Sequence, residues 1–102
     1  MSEFRRISIA QAKALIRDKA PVIVDVRDAQ AFQRGALPDA HHVTINCFLR
    51  FRKGIDRARP VLVYCYHGNA SQTMAEMFVD FGFSEVYSLD GGYEAWQLAN
   101  EQ

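Results

Sequence analysis

Hydrophobic positions along this chain follow two spacings in turn. Ile9, Ala12, Leu15 and Ile16 recur every three or four residues, as on one face of a helix. Val22-Ile23-Val24-Asp25-Val26 is instead a nearly unbroken β-branched run, the pattern of a strand buried on both faces of a parallel sheet. The alternation continues. Arg5-Arg6-Ile7 reads as a short edge strand before the first helix, where Ser8 and Gln11 form a capping box. Pro21 blocks continuation of that helix. Asp28 is placed to cap a short helix through Phe32 that Gly35 closes. His42-Val43-Thr44-Ile45 reads as a third strand, and Asn46 as the cap of a helix from Cys47 to Lys53 that ends at Gly54. Pro60 introduces the strand Val61-Leu62-Val63-Tyr64, which leads into Cys65. Met74, Ala75, Met77, Phe78 and Phe81 mark the next helix, with Ser71 as its cap and Gly82 as its stop. Glu85 to Leu89 is the last strand, and Gly91-Gly92 turns into a final helix carrying Trp96. This spacing predicts an α/β fold, a central, mostly parallel sheet with helices on both faces, in one domain over 1–102. Ligands of such sheets bind beyond the carboxyl ends of the strands, where Cys65 falls.

Composition narrows the class. Of 102 residues, 49% are hydrophobic, enough for a real core. Twelve basic residues balance twelve acidic ones, so charge makes no case for nucleic acid or an acidic membrane surface as partner. No apolar stretch approaches ~18 residues, and the segment Met1 to Arg6 lacks the apolar core of a signal peptide. A cytoplasmic protein is expected. Cys47 and Cys65 make neither a CxxC motif nor a zinc spacing, so no metal and no disulfide are expected.

Candidate chemistry concentrates in Cys65-Tyr66-His67-Gly68-Asn69-Ala70-Ser71, between a strand and a helix. Backbone N–H groups of such a loop converge, and the first N–H groups of the helix lack intrahelical partners. Together with the helix dipole they stabilise an anion. A thiol placed there is expected to ionise below its free pKa of ~8.5. The plain alternative is a buried core cysteine.

Three further blocks accompany this loop: Val22 to Arg27 with its Asp-Val-Arg ending, Phe32-Gln33-Arg34-Gly35-Ala36-Leu37-Pro38-Asp39-Ala40, and Gly82 to Trp96 ending Leu89-Asp90-Gly91-Gly92-Tyr93-Glu94-Ala95-Trp96. With all four in order, the chain resembles a rhodanese domain from about Ile7 to Trp96. The Cys-Tyr-His-Gly-Asn loop is most similar to the single-domain, GlpE-type thiosulfate sulfurtransferases. The resemblance implies double displacement through a persulfide on Cys65. Thiosulfate would be the donor, and cyanide, a dithiol or a thioredoxin-like protein the acceptor. No cofactor is implied. Many rhodaneses carry an arginine or lysine inside the loop; here none lies between Tyr66 and Ala70, so weak thiosulfate affinity is expected.

Other readings compete. Phosphatases and arsenate reductases of related architecture place an arginine six positions after the cysteine, to grip oxyanions bidentately. Here that position is Ser71, and Cys65 to Ala70 is the shorter form of the loop. A sulfur-relay carrier loaded by a partner's persulfide would use the same cysteine. A non-catalytic rhodanese module usually lacks it.

Within the loop, His67 could donate to a bound anion or simply face solvent. Tyr66 could line the entrance and Asn69 orient a loop carbonyl. Ser71 could touch the persulfide as well as cap the helix. Asp25 and Arg27 read as a brace for the cysteine loop or as an ordinary strand-end tie. The basic residues Arg50, Arg52, Lys53, Arg57 and Arg59 form a rim for anions or, more simply, a solvated helix end. Phe48, Phe51, Phe78, Phe81 and Trp96 read as core. Cys47 reads as a small buried hydrophobe, with a resolving thiol as the alternative, and His41 and His42 as strand-entry residues.

Overall fold

The computed structural model describes residues 3–100; Met1 and Ser2, read above as part of the N-terminal stretch, lie outside the described residues. Five strands form one sheet in the order β1-β5-β4-β2-β3, and every adjacent pair is parallel. They are β1 (Arg5–Ile7), β2 (Val22–Asp25), β3 (His41–His42), β4 (Val61–Tyr64) and β5 (Val86–Leu89). The helices are α1 (Ile9–Lys19), α2 (Ala29–Arg34), α3 (Phe48–Lys53), α4 (Ala70–Asp80) and α5 (Gly92–Asn100).

The period of two along β4 explains the layering. Val61 and Val63 face one core with Phe48 of α3 and Met74, Ala75 and Phe78 of α4. Leu62 and Tyr64 face the other, with Ala12 and Leu15 of α1 and, at its margin, Tyr93 and Trp96 of α5. All four β4 residues are fully buried, as expected for the middle strand of a sheet covered on both sides. Phe48 packs edge-on against Phe78 and Phe81, with ring centroids 4.9 and 5.3 Å apart, so it is a core residue. At the start of α1, Ser8 and Gln11 make the reciprocal capping box, and the Asp28 carboxylate caps α2 through the Ala31 amide.

Most elements fall within a residue or two of the sequence pattern, and two differences matter for the site. The third strand is His41–His42, not His42 to Ile45. It pairs only with Val24 and Asp25 at the end of β2, so there is nothing further to pair with. The chain turns instead at Thr44 to Cys47, where the Cys47 amide donates to the Thr44 carbonyl at 3.1 Å. Val43 is buried but Ile45 is 65% exposed, so their alternation with polar residues is not a strand's inward face. Accordingly α3 starts at Phe48 with Cys47, not Asn46, at its N-cap position. The second difference concerns Ser71. It lies inside α4, whose N-cap position is Asn69, and its hydroxyl points into the core rather than back along the helix end.

Candidate active site

Cys65 follows β4 directly and is 5% exposed. The loop wraps its sulfur. The Gly68 amide donates to Sγ at 3.1 Å, and the Ser71 hydroxyl lies 3.4 Å away. Ser71 Oγ is also 2.8 Å from Ser88 Oγ, and both serines are buried. If the Ser88 hydroxyl donates to Ser71, the Ser71 proton is free to point at a thiolate. Burial pushes the Cys65 pKa up. Hydrogen bonding outweighs it, from the Ser71 hydroxyl and from the backbone amides of Ser71, Gly68 and His67, and the net shift is downward from the ordinary thiol value.

The Gly91-Gly92 turn fixes where this loop sits. Tyr93 and Glu94 amides, at the start of α5, donate to the carbonyls of Cys65 and Tyr66 at 2.8 and 3.1 Å. Gly92 has φ +60°, and a Cβ there would overlap both carbonyl oxygens. Gly68, at φ +103°, lies against the Gly91 amide, with 3.0 Å from its would-be Cβ to that nitrogen. Two glycine turns are thus packed backbone to backbone, an approach that side chains would prevent.

Asp25 and Arg27 form a buried pair below the loop. Asp25 is fully buried and accepts from the Arg27 backbone amide (2.8 Å), Nε (3.1 Å) and Nη2 (2.6 Å), and from the Tyr64 hydroxyl (2.6 Å). Tyr64 in turn accepts from the Leu37 amide at 3.1 Å, and Arg27 Nη2 donates to the Gly35 carbonyl at 2.6 Å. The guanidinium stacks 4.0 Å from the Tyr93 ring centroid. Asp25 and Tyr64 are register partners on β2 and β4, so the network joins two strand ends, the segment after α2, and α5. Burial and the neighbouring carboxylate push the Tyr64 pKa far above its ordinary value, which keeps its hydroxyl a donor. Tyr64 immediately precedes Cys65, so one peptide link joins this network to the cysteine.

A cavity of about 690 Å³ opens over Cys65. Tyr66 and Ala70 line it from the loop side, Arg27 and Tyr93 from the floor, and Arg34 and Gln97 from the helices. Of the other loop residues, His67 turns its ring outward, 60% exposed and 3.6 Å from a Glu94 carboxylate oxygen. Its amide, not its imidazole, faces the sulfur. The Asn69 side chain makes no hydrogen bond to a loop carbonyl; Gln72 does so instead, donating from Nε2 to the Gly68 carbonyl at 2.9 Å.

The basic cluster lies elsewhere. Arg52 stacks on Phe81 with 4.8 Å to the ring centroid, and Arg59 donates to the Ala20 carbonyl at 3.2 Å. Arg57 packs near Gly82. None of Arg50, Arg52, Lys53, Arg57 and Arg59 lines the Cys65 cavity. Nor does Cys47, which is half-buried; its thiol interacts with the Thr44 amide and hydroxyl, and hydrogen bonding from Thr44 draws its pKa below the ordinary value. A second cavity of about 510 Å³, against Lys19, Glu85 and Tyr87, lies at the amino end of β5, away from the cysteine. Among the described residues no cluster of His, Cys, Asp and Glu could hold a metal ion, and no helix is long and apolar enough to cross a membrane.

Sequence reasoning missed Tyr64, Gln72, Ser88 and Arg34. A tyrosine just before the cysteine, opposite an aspartate on the neighbouring strand, was the available signal for the first. The others depend on tertiary approach.

A parallel sheet with a cysteine loop at a strand's carboxyl end, clamped by a Gly-Gly turn, defines a class that comparison makes specific. The family model described as a Rhodanese-like domain matches residues 8–99, and the chain belongs to that family. It is similar to relatives named thiosulfate sulfurtransferase GlpE. One from Pseudomonas syringae pv. syringae is 46% identical over 102 residues, covering 100% of this chain and 95% of the relative. Another from Vibrio cholerae is 43% identical over 100 residues, covering 98% and 94%. Among solved structures, a rhodanese-related protein from Thermoplasma volcanium superposes with a TM-score of 0.80 at 25% identity, covering 94% of this chain and 93% of that one. A protein of unknown function from Rhodopseudomonas palustris, described as a possible tyrosine phosphatase, gives 0.81 at 26% identity, covering 95% and 82%.

Proposed function

We propose that this chain is a thiosulfate sulfurtransferase acting as a single domain through a persulfide on Cys65. The observation that carries this reading is the hydrogen-bonded cradle around Sγ, which favours a thiolate in a site with no side-chain cation on the sulfur. The thiolate attacks the outer sulfur of thiosulfate. A bond forms from Sγ to that sulfur, the S–S bond of thiosulfate breaks, and sulfite leaves with the electron pair. Sulfite is a weakly basic leaving group, which suits exchange at sulfur. The terminal sulfur of the persulfide then bears the negative charge. The Gly68 amide already donates to Sγ, one bond from this charge, and the surrounding loop stabilises it with little reorganisation. Cyanide attacks the terminal sulfur, thiocyanate departs, and the Cys65 thiolate returns. A dithiol or a thioredoxin-like protein thiol discharges the persulfide in the same way. The cytoplasm is the proposed compartment, in keeping with two unpaired cysteines.

The loop residues Tyr66 to Ala70 shape the substrate site, Ser71 polarises the sulfur, and Asp25 with Arg27 positions the strand end below it. A phosphatase reading is disfavoured by Ser71. That position would need an arginine aimed at the oxyanion, yet it is a fully buried serine bonded to Ser88. The deciding experiment is intact mass after mixing with thiosulfate, beside Cys65→Ser. Expected is a gain of one sulfur atom on the native chain alone, lost on adding cyanide as thiocyanate appears. A native chain that gains nothing while its thiol stays reactive would overturn thiosulfate as donor.

A further inference from the structure

The Cys65 cavity is much larger than a sulfur oxyanion. About 690 Å³ lies within the range that holds organic ligands, ~300–1,000 Å³. Its lining includes the apolar residues Val26, Ala31 and Ala70 beside Tyr66 and Tyr93. Such a wall suits the carbon skeleton of a thiol rather than cyanide alone.

Its charge is as informative. Arg27 lines the cavity, but its Nε and Nη2 are held by Asp25 and its Nη2 also by Gly35. The buried pair is neutral as a unit. Asp28 adds a carboxylate to the same wall, committed to the α2 N-terminus. Arg34, at the other end of α2, is exposed, lines the cavity, and makes no ion pair or side-chain hydrogen bond among the described residues. It is the solvent-exposed cation of the cavity, whereas Arg27 is only 9% exposed and its charge is paired with Asp25. Its guanidinium sits on a long flexible stem and can grip a carboxylate bidentately.

We propose that Arg34 is the specificity-determining cation of this cavity, selecting organic thiol acceptors that carry a carboxylate. The proposal rests on the persulfide reading above and names the acceptor class for that site. The acceptor's thiolate attacks the terminal sulfur of the Cys65 persulfide. Its new S–S bond forms as the bond to Sγ breaks, and the electron pair returns to Cys65. The acceptor leaves as an organic persulfide. During attack its carbon chain lies along the apolar wall and its carboxylate reaches Arg34.

The test separates loading from discharge. Wild type, Arg34→Met and Arg34→Lys are loaded with thiosulfate and freed of excess donor. Loss of the added sulfur is then followed by mass against 3-mercaptopropionate and its uncharged amide. Intrinsic thiol reactivity cancels when the acid-to-amide rate ratio of each variant is divided by that of wild type. Expected is a fall of about fivefold in that ratio for Arg34→Met, the size of one partly solvated ion pair, with substantial recovery in Arg34→Lys. Raising salt is expected to lower the wild-type ratio and leave that of Arg34→Met flat. An equal ratio in wild type and Arg34→Met overturns the proposal while leaving the persulfide reading intact. Failure of wild type to load sulfur from thiosulfate overturns thiosulfate as donor and, with it, this acceptor proposal for a thiosulfate-loaded enzyme.

Discussion

Replacing Ser71 by alanine tests whether the cradle, rather than the cysteine alone, sets the reactivity of Cys65. The substitution removes the one side-chain hydroxyl beside Sγ, at 3.4 Å, and leaves the Gly68 amide in place. A hydrogen bond to a charged group contributes ~1.5–3 kcal/mol. The 3.4 Å separation places this one at the lower end. At 1.36 kcal/mol per pKa unit, the Cys65 pKa is expected to rise by about one unit. At pH values below both pKas that removes about nine-tenths of the thiolate, and because a more basic thiolate is intrinsically more nucleophilic, alkylation slows about three- to fourfold. The variant recovers as pH rises through its new pKa. The assay is the pH dependence of iodoacetamide alkylation, read peptide by peptide so that Cys47 is scored separately. Linkage supplies a second readout. A lowered folded pKa means that the unfolded chain binds more protons between the two pKas. Stability is therefore greatest above the unfolded value of ~8.5 and is lost as pH falls through the folded one. Ser71→Ala is expected to flatten that dependence. Ser88 also loses its 2.8 Å partner, a cost of about 1–3 kcal/mol that lowers stability at every pH. An unmoved alkylation midpoint in a folded variant would refute the cradle argument.

Gly92→Ala sets a Cβ against the Cys65 and Tyr66 carbonyls at φ +60°. It is expected to cost at least about 2 kcal/mol in urea denaturation and to slow persulfide formation out of proportion to the stability lost. Tyr64→Phe strips a donor from Asp25 and an acceptor from the Leu37 amide, both buried. A loss of about 1–3 kcal/mol is expected, and an unchanged denaturation midpoint would show that the brace carries no weight. Thiosulfate saturation is expected only at about 1 mM or above, the upper end of ordinary KM values. The loop has no lysine or arginine from Tyr66 to Ala70, Arg27 is tied to Asp25, and the exposed Arg34 adds at most about 1 kcal/mol; steady-state saturation in the micromolar range would contradict this.

What was legible in the chain divides along a physical line. Local chemistry was readable: the Ser8–Gln11 box, the Asp28 cap, the β-branched strands and the cysteine at a strand end all depend on near neighbours. The third strand was misread because strand length is set by the partner. Val43 to Ile45 alternates as a strand would, yet β2 ends its pairing with β3 at Asp25. Ser71 was misread for a related reason. A serine near a helix start is ordinarily a cap, but here the helix start is Asn69 and the serine's partners are Cys65 and Ser88. Ser88 lies 17 residues away and opposite Val63 in the sheet, a placement fixed by register rather than by any local pattern. The Gly-Gly turn was visible as a motif without its cause. Only the approach of α5 to the carbonyls of Cys65 and Tyr66 explains why two glycines must stand there. The same distinction applies to charge. Five basic residues lie close together in sequence at 50–59, and none lines the cavity. A lone arginine at the end of α2 does, because the carboxyl end of the sheet gathers residues from separate loops and helices over one strand end. Sites of this kind are assembled by topology. A sequence discloses their reactive atom sooner than the residues that select what meets it.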